Sequence, residues 1–271
     1  MNIYCAVFNP GVFKKIVLIS ATVLLLLNIS CKNNENPALK IGLVVTPETV
    51  NSMETTSQLN FLAQNDIAGA EFLYPEVIPA DKQFPANLDI VWIHHKPGSQ
   101  LPESFTKQSF ISLLDKYIQE GGKVMLSMDA LRILPFLGLE NKTPDTLTVG
   151  AFDQGYGRQL GLHAYLNHPL FDGMHGGAYL FHPENDTTTI QTGYFESGFI
   201  PDGKVIAVDW SYITFHEDKK LVLEYSKGEG RVLAIGAYMD FAMKNKNTDQ
   251  LALFLKNAIT FLKNPLPERL N

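Results

Sequence analysis

Titratable side chains stand at the ends of three apolar segments of this 271-residue chain. His94 and His95 end the segment that begins at Leu88, Asp129 follows the run KVMLSM, and Asp240 comes shortly after RVLAIG. Imidazole and carboxylate groups that meet in one place bind a metal ion or carry out acid–base catalysis. We therefore take these two histidines and two aspartates as candidate catalytic residues.

Each candidate also has a structural interpretation, which stays open beside the functional one. In that interpretation Asp129 caps the helix that follows it, and Asp240 fixes a turn. Side chains alternate across a strand, so at most one of His94 and His95 faces a common site. The remaining histidines have neither the spacing of a two-histidine helix face nor that of a compact metal loop, so the sequence indicates no metal site and no cofactor.

A polar, glycine-rich loop supplies a second group of candidates for ligand binding. It reads DQGYGR and runs from Asp153 to Arg158. Tyr156 offers a flat aromatic face, while Arg158 and Asp153 offer hydrogen-bonding groups, a combination suited to neutral or acidic sugars. We expect this loop to cover a cleft at the carboxyl ends of the strands, where open parallel sheets bind their ligands.

The segments that position these residues alternate between strand and helix. The predicted elements are strands at 39–45, 71–77, 88–94 and 123–128, helices at 55–64 and 104–120, and a short helix that begins at Asp129. Apolar, β-branched runs are typical of buried parallel strands, and the single apolar stripe of 104–120 is typical of a helix packed on a sheet. This order predicts an α/β fold, a three-layer sandwich with a mainly parallel, flavodoxin-like sheet.

The region from Thr146 to Lys227 differs because it is rich in glycine, asparagine, proline and aromatic residues. We interpret it as a β-rich insertion on the edge or rim of the sheet. Its predicted strands are 177–181, 204–210 and 221–225, after which a strand at 231–236 returns to the core and a helix at 248–263 closes the fold.

Four segments in this order resemble the class I glutamine-amidotransferase-like fold and, within it, the trehalose-utilisation, ThuA-like group. They are DIVWIHH (89–95), YIQEGGK (117–123), HPLFDG (168–173) and GEGRVLAIG (228–236). The resemblance implies one α/β domain over residues 39–264, followed by a tail at 265–271. It also implies a saccharide context for the function.

Glutaminase chemistry is not expected to accompany this fold. A glutaminase needs a cysteine thiolate on a tight strand-to-helix elbow, activated by a histidine that a carboxylate orients. Ser127 lies near the expected strand end, but no glycine flanks it to let the turn tighten. His182 and Glu184 are similar to the His-x-Glu element of glutaminases, yet they stand far before the terminal helix.

The first residues have the features of a lipoprotein signal peptide. Lys14 and Lys15 precede an apolar run over 16–27, which is short for a membrane span, and the segment ending in Ser30 and Cys31 resembles a lipobox. We predict a signal peptide over 1–30, lipidation of Cys31 and a polar tether over 31–38. The alternative is an uncleaved signal anchor.

Composition narrows the classes of function. The net charge is −6 and Lys and Arg are not clustered after the first segment, which argues against a nucleic-acid partner. The only cysteine besides Cys31 is Cys5, inside the predicted signal peptide, so no thiol remains for catalysis. We expect a protein of the cell envelope, lipid-anchored to a membrane, with a binding or accessory role toward a saccharide. A carbohydrate-active or other small-molecule enzyme and a structural interaction domain are the alternatives, and the oligomeric state stays open.

Replacing Cys31 with Ala is expected to abolish fatty-acid labelling of the protein, because the thiol of the lipobox cysteine is the group that receives the lipid. Metabolic labelling with a radioactive or alkyne fatty acid measures this directly. Cys5→Ala is the matched control and should be labelled normally. Undiminished labelling of Cys31→Ala would refute the assignment.

Overall fold

The structure is a computed structural model that describes residues 39–75, 84–85, 87–98, 100–150, 159–161, 168–174, 177–184, 188–211 and 214–264. The predicted signal peptide, Cys31, the tether, the loop with Asp153, Tyr156 and Arg158, and the C-terminal tail lie outside these residues. From Leu39 onward the chain forms one unit. Within the described ranges, no helix combines the length and the apolar character that crossing a membrane requires.

One large sheet forms the centre of the fold. Its strands are β1 (Lys40–Val44), β2 (Gly69–Leu73), β3 (Ile90–His95), β4 (Lys123–Met128), β6 (Gln159–Gly161), β8 (Lys204–Ser211), β9 (Thr214–Lys227) and β10 (Gly230–Ile235). They lie in the order β2-β1-β3-β4-β10-β9-β8-β6. The first five are parallel neighbours, and β9, β8 and β6 continue the sheet in antiparallel fashion. A separate antiparallel pair consists of β5 (Asp145–Gly150) and β7 (Thr188–Gly193).

Helices cover both faces of the sheet. They are α1 (Met53–Gln64), α2 (Glu103–Thr106), α3 (Gln108–Gln119) and α4 (Thr248–Lys263). Leu62 of α1 and Phe254 of α4 belong to the apolar cluster on one face, and Phe105 of α2 and Leu114 of α3 belong to the cluster on the other. The central strands are apolar on both sides because both faces are buried. The predicted three-layer α/β fold is confirmed.

The predicted helix over 104–120 is wrong in one respect, because it is two helices. Lys107 has an extended backbone, with φ −57° and ψ 134°, and it ends α2 and caps α3. The apolar stripe begins only at Phe110, so it fixes α3 alone. The break allows Phe105 of the short helix to pack against both Phe110 and His95. The predicted short helix after β4 is a 3-10 turn over Asp129–Ile133.

The predicted strands at 204–210 and 221–225 are confirmed inside β8 and β9, whereas the one at 177–181 is wrong. Residues 177–181 make no strand although Leu180 and Phe181 are buried. Side-chain amides take the place of sheet partners there. Gln250 accepts from the backbone N–H of Tyr179 at 2.9 Å, and Asn245 donates to the carbonyl of Leu180 at 2.8 Å. The apolar residues of 177–181 are buried in the core but are not paired with a neighbouring strand.

Strand β7 lies over the carboxyl end of β10. The backbone N–H of Thr192 donates to the carbonyl oxygen of Gly236 at 2.8 Å, and Gly236 N–H donates to Leu221 at 2.7 Å. A Cβ atom at position 236 would overlap the carbonyl oxygen of Thr192. Glycine at this position therefore permits the close approach of two backbones.

Replacing Gly236 with Ala should lower the free energy of unfolding by about 3 kcal/mol, because the added methyl must push β7 away from the sheet. Urea denaturation followed by circular dichroism measures the loss. Gly150→Ala is the control, since a Cβ there meets nothing within 4 Å. Equal stability of the two variants would contradict the close packing described here.

Candidate functional site

The carboxyl ends of β3, β4 and β10 lie along one edge of the sheet, which we call the carboxyl edge. His94 of β3 is the register partner of Ser127 of β4, and Asp240 follows β10. Glu54, in the first turn of α1, reaches the same place. Two of the four predicted catalytic candidates, His94 and Asp240, are therefore linked in one polar cluster.

A hydrogen-bonded chain of four side chains forms the buried part of this cluster. The indole N–H of Trp92 donates to Ser127 Oγ at 2.9 Å, and Ser127 Oγ lies 2.7 Å from His94 Nδ1. His94 Nε2 lies 3.2 Å from Glu54 Oε1. The ring of Phe241 packs edge-on against both Trp92 and His94, so the chain runs through an aromatic environment.

The chemistry of these groups gives the chain a single direction when the imidazole is neutral. Indole only donates and carboxylate only accepts, so the two ends are fixed by Trp92 and Glu54. Ser127 then accepts from the indole and donates its hydroxyl proton to His94 Nδ1. His94 keeps its proton on Nε2 and donates it to the carboxylate, which orients the ring as a second hydrogen bond orients a catalytic histidine.

The carboxylate of Glu54 joins three separate parts of the fold. Besides His94 on β3, it accepts the backbone N–H groups of Phe241 at 2.9 Å and Ala242 at 3.1 Å, both in the loop after β10. The ammonium group of Lys96 lies 3.4 Å from its second oxygen. The side chain of Glu54 is only 15% exposed, so these bonds form largely away from water.

Asp240 makes the second half of the cluster. Its side chain is fully buried and forms an ion pair with Lys96. The Tyr238 hydroxyl donates to Oδ2 at 3.0 Å, and the backbone N–H groups of Ala242 and Met243 donate to Oδ1 at 2.9 and 2.8 Å. The bonds to Oδ1 are the turn-fixing role that the structural interpretation assigned to this residue, while the ion pair adds a link to β3.

Both carboxylates are surrounded by hydrogen-bond donors. Each of the four oxygens of Glu54 and Asp240 lies within hydrogen-bond distance of two donors, and the single N–H of Ala242 is shared between Glu54 Oε2 and Asp240 Oδ1. A metal ion could bind them only by displacing existing partners. In the described part of the chain, no group of three or more His, Cys, Asp and Glu side chains is arranged to hold a metal.

These contacts shift the pKa values of Glu54 and Tyr238. Burial alone raises the pKa of Glu54, but the hydrogen bond and charge of His94, the Phe241 N–H and the charge of Lys96 lower it more, so the pKa falls from 4.5 to about 2. Burial and the neighbouring Asp240 raise the pKa of Tyr238 above its usual value. The cluster therefore keeps Glu54 ionised and Tyr238 protonated at neutral pH.

A strained turn follows the strand that carries Ser127. Met128 has φ 58° and ψ −127°, which is uncommon for any residue except glycine and costs about 1–3 kcal/mol. The turn leads directly into the 3-10 turn, as the nucleophile elbow of a hydrolase leads into a helix. The expectation that the turn could not tighten without glycine is wrong. The elbow forms one residue beyond Ser127, with a fully buried methionine at the position of the nucleophile.

The other two catalytic candidates lie apart from this cluster. The Asp129 carboxylate accepts from Thr192 Oγ1 of β7 at 2.7 Å and lies 3.8 Å from Arg132. His95 is turned to the opposite face of β3, where its ring meets Phe105 edge-on. Asp129 is 5% exposed and Thr192 is wholly buried, so β7 covers the elbow from above.

Ser127 meets His94 rather than the histidine of the His-x-Glu segment. The backbone N–H of His182 donates to Asn245, and Glu184 pairs with Lys244 at the surface. A cavity of roughly 240 Å³ opens at the opposite, amino-terminal edge of the sheet, where Leu88 precedes β3 and Gly122 precedes β4. It shares no residue with the cluster at the carboxyl edge.

Sequence reasoning missed Glu54 and Lys96. Glu54 lies in the first turn of a helix that follows a strand, a place where an acidic residue is ordinary for electrostatic reasons. Lys96 directly follows the two histidines that drew attention. Position was an available signal for Lys96, which comes just after the carboxyl end of a predicted parallel strand, whereas Glu54 lies nine residues beyond the strand predicted at 39–45.

No protein-family model matches the chain, and no curated protein matches it. Solved structures share its fold. A structure of PurLQS from Thermotoga maritima matches with a TM-score of 0.50 and 13% identity, over 82% of this chain and 98% of that one. A ThuA-like protein from Parabacteroides merdae matches with the same TM-score and identity, over 85% and 94% of the two chains. The chain thus has the α/β fold of ThuA-like and amidotransferase-like structures.

Replacing Glu54 with Gln should lower the free energy of unfolding at pH 7 by about 3 kcal/mol, the value of a pKa lowered from 4.5 to about 2. A depressed carboxyl pKa stabilises the fold above the unfolded pKa, and this stabilisation is lost as the pH falls toward the folded pKa. The gap between wild type and variant should therefore close between pH 4.5 and 2 in urea titrations.

Glu196→Gln serves as the control for this experiment. Glu196 also pairs with a lysine, but its side chain is 62% exposed. Solvent screening leaves such a pair with little effect on stability. If the difference in unfolding free energy between wild type and Glu54→Gln stayed constant down to pH 2, the ionised carboxylate would not be the source of the stability.

Proposed function

We propose that this chain is a cell-envelope lipoprotein whose amidotransferase-like domain has a binding or accessory role in carbohydrate utilisation and no amidotransferase catalysis. The observation that carries the proposal is Met128. A thioether has no proton to lose and cannot act as the nucleophile that an elbow presents. A strained elbow with a buried methionine at its tip is therefore a scaffold feature retained without the corresponding chemistry.

The covering of the elbow supports the same proposal. In an active elbow the nucleophile must meet a substrate, whereas here β7 lies on the adjoining residues and Thr192 binds the Asp129 carboxylate. Asp129 is thus satisfied within the fold. The predicted helix-capping role of Asp129 is wrong, because the 3-10 turn has no side-chain cap and the carboxylate instead binds Thr192 of β7.

The saccharide context rests on the order of the four segments that resemble the ThuA-like group. The likeness to the Parabacteroides merdae protein supports the fold on which that resemblance depends. The place in the cell envelope rests on the first 31 residues alone, with their basic, apolar and lipobox-like parts. These two supports are independent, and each has its own test.

A second candidate function is an enzyme that acts at the carboxyl edge through His94 and a carboxylate, that of Asp240 or Glu54, with Ser127 as nucleophile. One observation favours it, because Ser127, His94 and Glu54 are hydrogen-bonded in the order of a serine–histidine–acid triad, although Ser127 meets Nδ1 and Glu54 meets Nε2, the reverse of the usual nitrogens. Two observations oppose it. Ser127 is fully buried, and its oxygen already accepts the indole N–H of Trp92. Substrate could reach the hydroxyl only after the aromatic side chains had moved.

The proposal predicts no ammonia release from glutamine above the rate of a protein-free blank. It also predicts no hydrolysis of p-nitrophenyl acetate that depends on Ser127. Coupled glutamate dehydrogenase and absorbance assays measure the two activities, with an active class I amidotransferase as positive control. Turnover that disappears in Ser127→Ala and persists in the control variant Ser112→Ala would establish the second candidate instead.

The proposal further predicts that the full chain binds at least one saccharide. An immobilised-glycan screen followed by calorimetry measures this, with the urea-unfolded protein as the control for nonspecific adsorption. If no glycan binds, the third interpretation, a structural interaction domain, replaces the proposal.

A further inference from the structure

We propose that the cavity at the amino-terminal edge of the sheet binds a small, uncharged aromatic molecule that carries a hydrogen-bond acceptor such as a carbonyl oxygen. This cavity lies at the end of the sheet opposite the polar cluster, so the site is separate from the saccharide-binding function proposed above. Four of its features decide the kind of ligand: its size, its walls, its hydrogen-bond donor and its balance of charge.

The cavity has room for one aromatic ring with a short substituent. Its volume is roughly 240 Å³. An apolar cavity of about 150 Å³ in a protein interior is large enough to hold benzene, whereas sites for drug-sized ligands begin at about 300 Å³. The volume lies between these two values, and it therefore suits a ligand slightly larger than benzene.

The walls of the cavity are apolar and partly aromatic. Phe84 and Leu113 are only 5% and 7% exposed, and Leu88 and Tyr117 lie half-buried beside them. The rings of Phe84 and Tyr117 stand edge to face, with centroids 5.1 Å apart and planes at 70°. A further ring can join such an arrangement and gains specific ring contacts in addition to the burial of apolar surface. The walls therefore favour an aromatic ligand over an aliphatic one of the same size.

Tyr117 supplies a hydrogen-bond donor to the ligand. Its ring rests directly on the backbone at Gly122, where an added Cβ would overlap the ring, so the side chain is held in place. Burial raises the pKa of its hydroxyl more than the nearby backbone N–H of Lys123 lowers it, so the group is protonated at neutral pH. Among the residues that the structure describes, none accepts this proton. A ligand that presents an acceptor can take it.

The charges of the lining cancel. Of the described residues that line the cavity, only Lys116 and Glu120 are charged, and they form a pair at 3.9 Å with more than half of each side chain exposed. Outside the lining, three neighbouring cations are matched by three anions: Lys123, Arg231 and Lys263 by Glu229, Glu224 and Asp89. An ionic ligand would leave water for an apolar cavity without gaining an unpaired partner, which is costly.

The experiment measures the binding of four probes to the full chain by calorimetry. Acetophenone has the aromatic ring and a carbonyl acceptor, and ethylbenzene keeps the ring without the acceptor. Cyclohexyl methyl ketone keeps the acceptor without the aromatic ring, and benzoate adds a negative charge. We expect acetophenone to bind more tightly than either the cyclohexyl ketone or benzoate.

Replacing Tyr117 with Phe removes the donor and keeps the ring. Loss of one hydrogen bond should weaken acetophenone binding about three- to tenfold. Ethylbenzene binding should stay within about twofold of wild type, because this probe has no acceptor to lose. A merely structural role of Tyr117 would change the affinity for both probes alike.

Two further variants complete the test. Tyr194→Phe is the matched control, because Tyr194 is buried away from the cavity and its hydroxyl donates to the carbonyl of Lys142 at 3.1 Å. It should bind acetophenone as the wild type does. Leu113→Trp fills the cavity and should abolish the binding of both aromatic probes. If circular dichroism shows that Leu113→Trp is unfolded, the comparison of Tyr117→Phe with Tyr194→Phe still decides.

Three results would overturn the proposal: no binding of any probe by the wild type, equal binding of acetophenone by Tyr117→Phe and the wild type, or binding of benzoate or the cyclohexyl ketone as tight as that of acetophenone. None of them bears on the glycan screen, which tests the proposed function separately.

Discussion

The carboxylate of Glu54 is the interaction on which the carboxyl edge depends. It ties the first turn of α1, the end of β3 and the loop after β10 to one another through four hydrogen bonds. These three parts come from distant places in the sequence, and the ring of Phe241, which packs against Phe61 of α1 and His94 of β3, joins them a second time. Because the carboxylate is mostly buried, removing it would leave the backbone N–H of Phe241 and the imidazole of His94 without this acceptor, which is costly in a protein interior.

The strained turn at Met128 contributes to packing and does not expose a nucleophile. Backbone strain at an elbow is usually explained by the nucleophile that it exposes. Here the strain is present while the side chain at the tip is buried and chemically inert. The turn has a packing role in this structure, because it ends β4 beneath β7 and leads into the 3-10 turn that brings Asp129 to Thr192. The same geometry that would support catalysis supports packing.

The parallel half of the fold could be predicted from the sequence because its signal is local. Apolar runs marked β1, β3, β4 and β10, and one apolar stripe marked α3. The antiparallel half was harder. Strands β5 and β7 are rich in threonine and glycine rather than in apolar residues, and the buried segment 177–181 is held by side-chain amides of Asn245 and Gln250, which no periodicity reveals.

The candidate site was predictable in place but not in membership. Strand ends located His94 and Asp240 correctly on one edge, whereas the partners that join them, Glu54 and Lys96, are related to them only through the folded structure. Whether a carboxylate is saturated depends on backbone N–H groups such as those of Phe241 and Ala242. Every residue except proline has a backbone N–H, so the residue types at these positions do not predict that role.

The position of β10 has a consequence for the order in which the chain can fold. It is the last strand to be synthesised, yet it lies between β4 and β9 and joins the parallel and antiparallel halves of the sheet. All six of its residues are buried. Until Gly230–Ile235 arrives, β4 has an open edge and neither half has its neighbour, so contacts of high sequence separation must close last and folding is slow. This delay suits the export route proposed for this chain. A polypeptide that cannot complete its core until its last strand has been made stays unfolded longer, and an unfolded chain can pass through a translocation channel.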